Sequence, residues 1–172
     1  MVDRAAAGNK VVRLKGGDPM VFGRGAEELA HLAGRGIPVE VVPGVTSAIG
    51  VPTAVGIPLT LRGVASAFAV VAGEPATVDQ WHRYAAIDTL VVLMGVRRRA
   101  EIAAALVAAG RLGTEPVVFI ESGTTEEERV TLSTLGEVAL GVVEVRAPAV
   151  WVIGAVVSAV GHVKQAPVGV AT

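Results

Sequence analysis

The sequence predicts an α/β fold, and three observations carry that prediction. Short β-branched runs recur along the 172 residues, most of them end in glycine, and helix-patterned stretches fill several of the gaps. The runs cover residues 11–14, 39–42, 67–71, 89–93, 116–120 and 149–153, closed by Gly16, Gly44, Gly73, Gly95, Gly123 and Gly154. Their spacing is close to the ~30 residues of a βα unit. The runs are continuous rather than alternating, as in strands covered on both faces, so the expected pairing is largely parallel.

The helices follow from periodicity and end signals. Residues 25–34 set Ala26, Leu29, Ala30 and Ala33 on one face, with Glu27 and Glu28 in the first turn, where the helix dipole favours acids. Residues 98–109 are alanine-rich, with Ile102, Leu106 and Ala109 on one face and Gly110 as the stop. Asp79 is placed to cap a short helix through Trp81 and Tyr84, and residues 133–143 carry a weaker helical pattern broken by Gly136 and Gly141. Residues 1–8 read as the end of a helix, and residues 165–172 carry no pattern and are expected to fray. A chain that enters a buried-type strand by residue 11 reads as lacking its opening strand and loop. The turn-rich segment Ile57-Pro58-Leu59-Thr60-Leu61-Arg62-Gly63 reads as a linker. The expected domains are therefore 1–61, the C-terminal portion of an incomplete N-terminal α/β domain, and 62–172, a complete C-terminal α/β domain.

Composition excludes several functions. Hydrophobic residues make up 52% and charged residues 18%, a profile for a buried core rather than a disordered chain. Lys plus Arg number 15 against 16 Asp plus Glu, which leaves no basic footprint for nucleic acid. No cysteine is present, and His31, His82 and His162 form no ligand pair, so no metal is expected. The uncharged stretch 41–61 is interrupted by Pro43, Pro52 and Pro58, and so reads as turns and short elements rather than a membrane span. The N-terminus has no secretory pattern, and the chain reads as soluble and cytoplasmic.

Gly16-Gly17-Asp18-Pro19 follows the first run directly. Alone, the tetrapeptide supports a tight turn. A ligand loop is the alternative, because open α/β sheets bind ligands beyond the carboxyl ends of their strands. It is neither a Walker loop nor a G-x-G-x-x-G dinucleotide loop. The longer run Val11-Val12-Arg13-Leu14-Lys15-Gly16-Gly17-Asp18-Pro19-Met20-Val21-Phe22-Gly23-Arg24-Gly25-Ala26-Glu27-Glu28 resembles the uroporphyrinogen-III C-methyltransferases of the tetrapyrrole (class III) methylase family. Blocks in the same order resemble it downstream: Val41-Val42-Pro43-Gly44-Val45-Thr46-Ser47-Ala48, Gly56-Ile57-Pro58-Leu59-Thr60, Thr89-Leu90-Val91-Val92-Leu93-Met94-Gly95-Val96, Glu121-Ser122-Gly123-Thr124 and Pro148-Ala149.

The resemblance implies two αβα domains with S-adenosylmethionine in a trough between them. The positions matching the cofactor pocket are Gly16, Gly17, Asp18, Val21, Thr46, Ser47, Met94 and Gly123, with Pro148 and Ala149 as further candidates beside the adenine. It implies an anionic tetrapyrrole substrate, uroporphyrinogen III, methylated twice on ring carbons to precorrin-2 for siroheme or cobalamin, by a homodimer. Arginine forks suit the substrate's carboxylates, and Arg24 and then Arg62 are the candidates. Arg97-Arg98-Arg99 reads as a solvated face, Glu126-Glu127-Glu128-Arg129 as an exposed charged turn, and Trp81, Tyr84 and Trp151 as packing residues.

The sequence departs from the family at several points. The opening G-x-G-P-G-D-P loop and the upstream Asp and Lys assigned as acid and base have no counterpart, so the catalytic residues are unassigned. Leu61 stands where the family often has His, and Gly73-Glu74 where it has Gly-His. Three readings follow: a uroporphyrinogen-III methyltransferase, a methylase of a related precorrin, or a non-catalytic cofactor-binding fragment that works with a partner supplying the first half-domain.

Overall fold

The computed structural model describes residues 1–74 and 78–159, so residues 165–172 and His162 lie outside the described residues. The chain divides into two compact units, one ending at Ser47 and the other beginning at Ala48. The helices are α1 (Val2–Ala6), α2 (Gly25–Ala33), α3 (Ser47–Ala54), α4 (Val78–Tyr84), α5 (Arg99–Ala108), α6 (Leu135–Ala139) and α7 (Val156–Ala159). The strands are β1 (Phe68–Ala72), β2 (Thr89–Leu93), β3 (Pro116–Glu121), β4 (Arg129–Thr134) and β5 (Ala149–Ile153).

The larger unit is built on one sheet in the order β1-β2-β5-β3-β4. β1 and β2 pair in parallel, whereas β2–β5, β5–β3 and β3–β4 are antiparallel. The α/β class holds, but the expectation of largely parallel pairing is corrected. A continuously apolar run records burial on both faces, not direction, and β5 is sandwiched whichever way it runs. Alternate residues serve two cores. Leu90, Val92, Val117, Phe119, Trp151 and Ile153 pack with Trp81 of α4, Ile102 and Leu106 of α5, and Leu135 and Val138 of α6. Val91, Leu93, Val118, Ile120, Val150 and Val152 pack with Ala48 and Val51 of α3 and Val156 and Val157 of α7. Phe119 and Trp151 stack at 5.0 Å, and Trp81 meets Tyr84 edge-on at 5.9 Å, so these aromatics do serve packing.

Connections around this core are fixed by side chains. Arg111, buried beneath the start of β2, donates to the carbonyls of Ala85, Ile87 and Asp88 and forks onto the Glu115 carboxylate. Asp88 accepts from Ser66 N at 2.7 Å, Ser66 Oγ at 3.0 Å and Ala67 N at 3.1 Å. α5 ends as expected, with Gly110 at φ +102 beyond it. α6 is shorter than residues 133–143 because a capping box formed by Thr134 and Glu137 starts it at Leu135. Asp79 lies inside α4 rather than ahead of it.

Three elements escaped the sequence reading: β4, α3 and the four-residue α7. β4 is an edge strand whose residues alternate, Arg129-Val130-Thr131-Leu132-Ser133-Thr134, and a period of two replaces the continuous run. α3 encloses Pro52 and has no polar face to mark its period. Ile57 and Leu59 are buried in the larger unit's core, so the segment read as a linker packs against that core.

The smaller unit has little interior: Gly25 and Leu32 are its buried residues. The expected strands at 11–14 and 39–42 join no ladder among the described residues, and Val12, Leu14 and Val42 are 80%, 83% and 73% exposed. A strand exists through its hydrogen-bonded neighbour, and apolar residues alone do not supply one. α2 forms as expected, but Ala26, Ala30 and Ala33 on its apolar face are exposed.

Candidate functional site

Within the smaller unit, Gly16-Gly17-Asp18-Pro19 lies against residues 44–47, drawn together by one carboxylate. Asp18 Oδ1 accepts from Met20 N at 2.8 Å and Oδ2 from Gly44 N at 3.0 Å. These bonds, Gly44 first, then Met20 and Val21, hold its carboxyl below the ordinary value of 3.8. The glycines permit the approach. A Cβ on Gly44 would lie 2.9 Å from the Gly17 carbonyl oxygen, and one on Gly17 would lie 3.2 Å from the Val45 oxygen and 3.4 Å from Thr46 Cα. A Cβ on Gly16 would meet nothing, so backbone is open to a ligand there. The structure thus brings Gly16, Gly17, Asp18, Thr46 and Ser47 together. Asp18 is first a clasp, with lone pairs left over for a ligand donor.

Val21 is 37% exposed on the loop that follows. That loop turns back through Phe22 at φ +50 and Arg24 at φ +57, both in the left-handed region. Gly25 N donates to Pro19 O at 2.9 Å, and Lys15 Nζ donates to Gly23 O at 2.7 Å. Lys15 also pairs with Glu28 at 2.8 Å, and with Arg13 keeps that carboxyl below its ordinary range. Arg24 carries an 81% exposed side chain, 3.5 Å from Glu27. An open groove of ≈ 510 Å³ runs beside it, lined by Arg13, Lys15, Phe22, Arg24, Glu27 and His31 among others.

Within the larger unit, the remaining predicted positions share one end of the sheet. β5 runs against β2 and β3, and Glu121 pairs with Ala149, so Ala149 begins β5 where β3 finishes. Met94, directly after β2, is left-handed at φ +55 and 52% exposed. Beside it Gly73 N donates to Leu93 O at 2.7 Å, and a Cβ on Gly73 would collide with Gly95. Gly123 sits between two left-handed residues, Ser122 at φ +45 and Thr124 at φ +68, and a Cβ on it would run into the Val51 side chain. Ser122 N donates at 2.9 Å to the carbonyl of Pro148, which follows a cis peptide bond. Met94, Gly123, Pro148 and Ala149 are therefore grouped at a sheet end where backbone strain is concentrated.

Other candidates are less placed by their surroundings. Arg62 is exposed in the turn joining Leu61 and Ala65. Arg98 pairs with Glu101 at 3.0 Å and Arg99 donates to Val143 O at 2.9 Å, leaving Arg97 on the solvated face that was expected. His31 is exposed and meets Arg35 at 3.1 Å. Among the described residues no three His, Asp or Glu gather as metal ligands, and no helix is long and apolar enough to cross a membrane. The sequence reading missed Gly44 as the partner of Asp18, Glu128, which accepts from Thr124 N in the turn after β3, and Arg129, which pairs with Glu121 at the end of β3; spacing within the charged run gave no sign of the latter two.

The chain is an α/β protein whose larger unit holds left-handed backbone in its strand-end turns and whose smaller unit carries a clasped glycine loop. The tetrapyrrole (corrin/porphyrin) methylases match residues 1–139, and the chain belongs to that family. Siroheme synthase 2 of Aeromonas hydrophila is 45% identical over 163 residues, covering 92% of this chain and 34% of its own length. Uroporphyrinogen-III C-methyltransferase of Methanobacterium ivanovii is 48% identical over 144 residues, covering 81% of this chain and 61% of its own length. The chain thus spans about a third of the siroheme synthase it matches. Uroporphyrin III C-methyl transferase from Thermus thermophilus superimposes with a TM-score of 0.82 at 52% identity, over 90% of this chain and 67% of that one. The same enzyme complexed with S-adenyl homocysteine gives 0.81.

Proposed function

We propose that the chain takes part in S-adenosylmethionine-dependent C-methylation of uroporphyrinogen III, through two methylations to precorrin-2, on the route to siroheme or cobalamin. The observation that carries this reading is the 52% identity to the Thermus methyl transferase across 90% of the chain. The chemistry of the site fits the cofactor. Open backbone at Gly16 suits close contact with a flat or zwitterionic group, and Asp18, charged at neutral pH, suits hydroxyl or ammonium donors. In the smaller unit Val21, Thr46 and Ser47 add an apolar side chain and two hydroxyls; in the larger unit Met94 offers an exposed apolar side chain at the sheet end that also carries Gly123, Pro148 and Ala149, the other positions that the resemblance implies for the cofactor. Bound S-adenosylmethionine supplies an electrophilic methyl group on sulfur and is left as S-adenosylhomocysteine. The residues of this chain bind and orient, which for an in-line transfer is much of the catalysis. Arg24 and Arg62, both exposed, offer guanidinium forks to the substrate's carboxylates. By resemblance the working form is a cytoplasmic homodimer, the domains being portions of the family's two αβα domains, with no nucleic acid or membrane partner.

A second reading is cofactor binding without turnover. It is favoured by Leu61 and Gly73-Glu74, which replace the family's His and Gly-His, and by the unladdered segments at 11–14 and 39–42. Calorimetric titration with S-adenosylhomocysteine tests what both readings share: micromolar binding, abolished by Asp18→Ala, is expected. No binding by a folded, monodisperse sample sinks both. Methyl transfer from labelled S-adenosylmethionine to uroporphyrinogen III then separates them.

A further inference from the structure

The run at residues 126–129 reads from sequence as solvated charge, and Glu126 and Glu127 are indeed exposed. The next two residues are engaged. Glu128 Oε2 accepts from Thr124 N at 2.7 Å, the amide of a β-branched residue at φ +68. Arg129 donates from Nε at 3.0 Å and Nη2 at 2.6 Å to Oε1 of the buried Glu121, the last residue of β3, and from Nη2 at 3.3 Å to Glu144 O. Thr125 Oγ1 donates to Ser122 O at 2.7 Å, closing the turn from within. Left-handed backbone at two non-glycine residues flanking Gly123 persists where its surroundings over-determine it, and these bonds do so. A carboxylate accepting a backbone N–H is among the stronger hydrogen bonds.

We propose that Glu128 and Arg129 are positioning residues for the turn at residues 122–124, holding its backbone groups in the orientation that binds S-adenosylmethionine. Glu128 fixes Thr124 in the left-handed state, and Arg129 anchors the strand end from which the turn departs. The inference rests on the functional reading above, because the turn carries Gly123.

The test is titration of the full chain with S-adenosylhomocysteine, alongside melting curves and amide exchange at Thr124. Glu128→Ala weakens binding about tenfold, equivalent to ~1.4 kcal/mol, and speeds exchange at Thr124, while Tm moves by less than about 2 °C, as for a surface change in a domain this size. Glu128→Gln, which keeps an oxygen acceptor, restores affinity to within about threefold of wild type, a ~0.65 kcal/mol difference. Arg129→Lys keeps the charge, loses the fork and weakens binding less than Glu128→Ala. Wild-type affinity in Glu128→Ala, or Glu128→Gln as weak as Glu128→Ala, overturns the proposal. Failure of the unmutated chain to bind overturns the functional reading itself, a result visible before any variant is compared.

Discussion

The two units order their loops by different means. In the larger one, β2, β3 and β5 are buried on both faces, and the turns at their ends stand on that packing. In the smaller one, Val12, Leu14 and Val42 face solvent, and the loops are held by polar contacts: Asp18 on Gly44, Lys15 on Gly23, Glu28 on Lys15. The same carboxylate device serves both. Asp18 gathers the amides of Met20 and Gly44, and Asp88 those of Ser66 and Ala67. Asp88 sits beside the buried Arg111, whereas Asp18 has little core beneath it. A hydrogen-bonded clasp fixes a loop locally, but apolar burial supplies the larger share of stability.

Breaking the packed side has the largest effect. Trp151→Ala, which removes the partner stacked on Phe119, costs about 3–5 kcal/mol in denaturant unfolding. Leu14→Ser, on the exposed segment, changes stability by less than about 0.5 kcal/mol. Comparable losses from the two would erase the distinction. Arg111→Met leaves the half-buried Glu115 carboxylate uncompensated and three carbonyls without their donor, at a cost of about 3 kcal/mol in the same assay. Thr134→Ala removes half of the α6 capping box and costs about 1 kcal/mol.

The clasps also give a pH signature. Asp18 and Asp88 both have folded-state values held below 3.8, Asp88 chiefly by the Ser66 amide. Their contribution is therefore complete above the unfolded value and is lost as pH falls through the lowered folded one. The Gly44 amide shift, followed by NMR, should hold steady through neutral and mildly acid pH and step below 3.8. A step at or above 3.8 would mean that the clasp is not formed in solution.

Much of the larger unit was legible because its signals are local. β2 and β5 were found to the residue from their apolar runs, and α5 from its period and Gly110. Strand direction was not, since β5 carries the same pattern as a parallel strand. The edge strand β4 was lost between a charged run and a weak helix, although its alternation is plain once pairing with β3 is seen. In the smaller unit the apolar runs at 11–14 and 39–42 were readable, but a ladder needs a neighbour that the runs themselves do not encode. The candidate site positions come from the family motif and not from chemistry: an exposed Met94 or a glycine between Ser122 and Thr124 has no signature of its own. Gly44 meeting Asp18 requires the folded chain.

The most direct test of the account is amide hydrogen exchange of the whole chain with and without S-adenosylhomocysteine. Without it, amides of β2, β3 and β5 should be strongly protected, and those at 11–14 and 39–42 should exchange fast. With it, protection should rise at Gly17 and Asp18, at Met94 and at residues 122–124. Equal protection of both units in the free chain, or no change at these three places on adding the ligand, would contradict it.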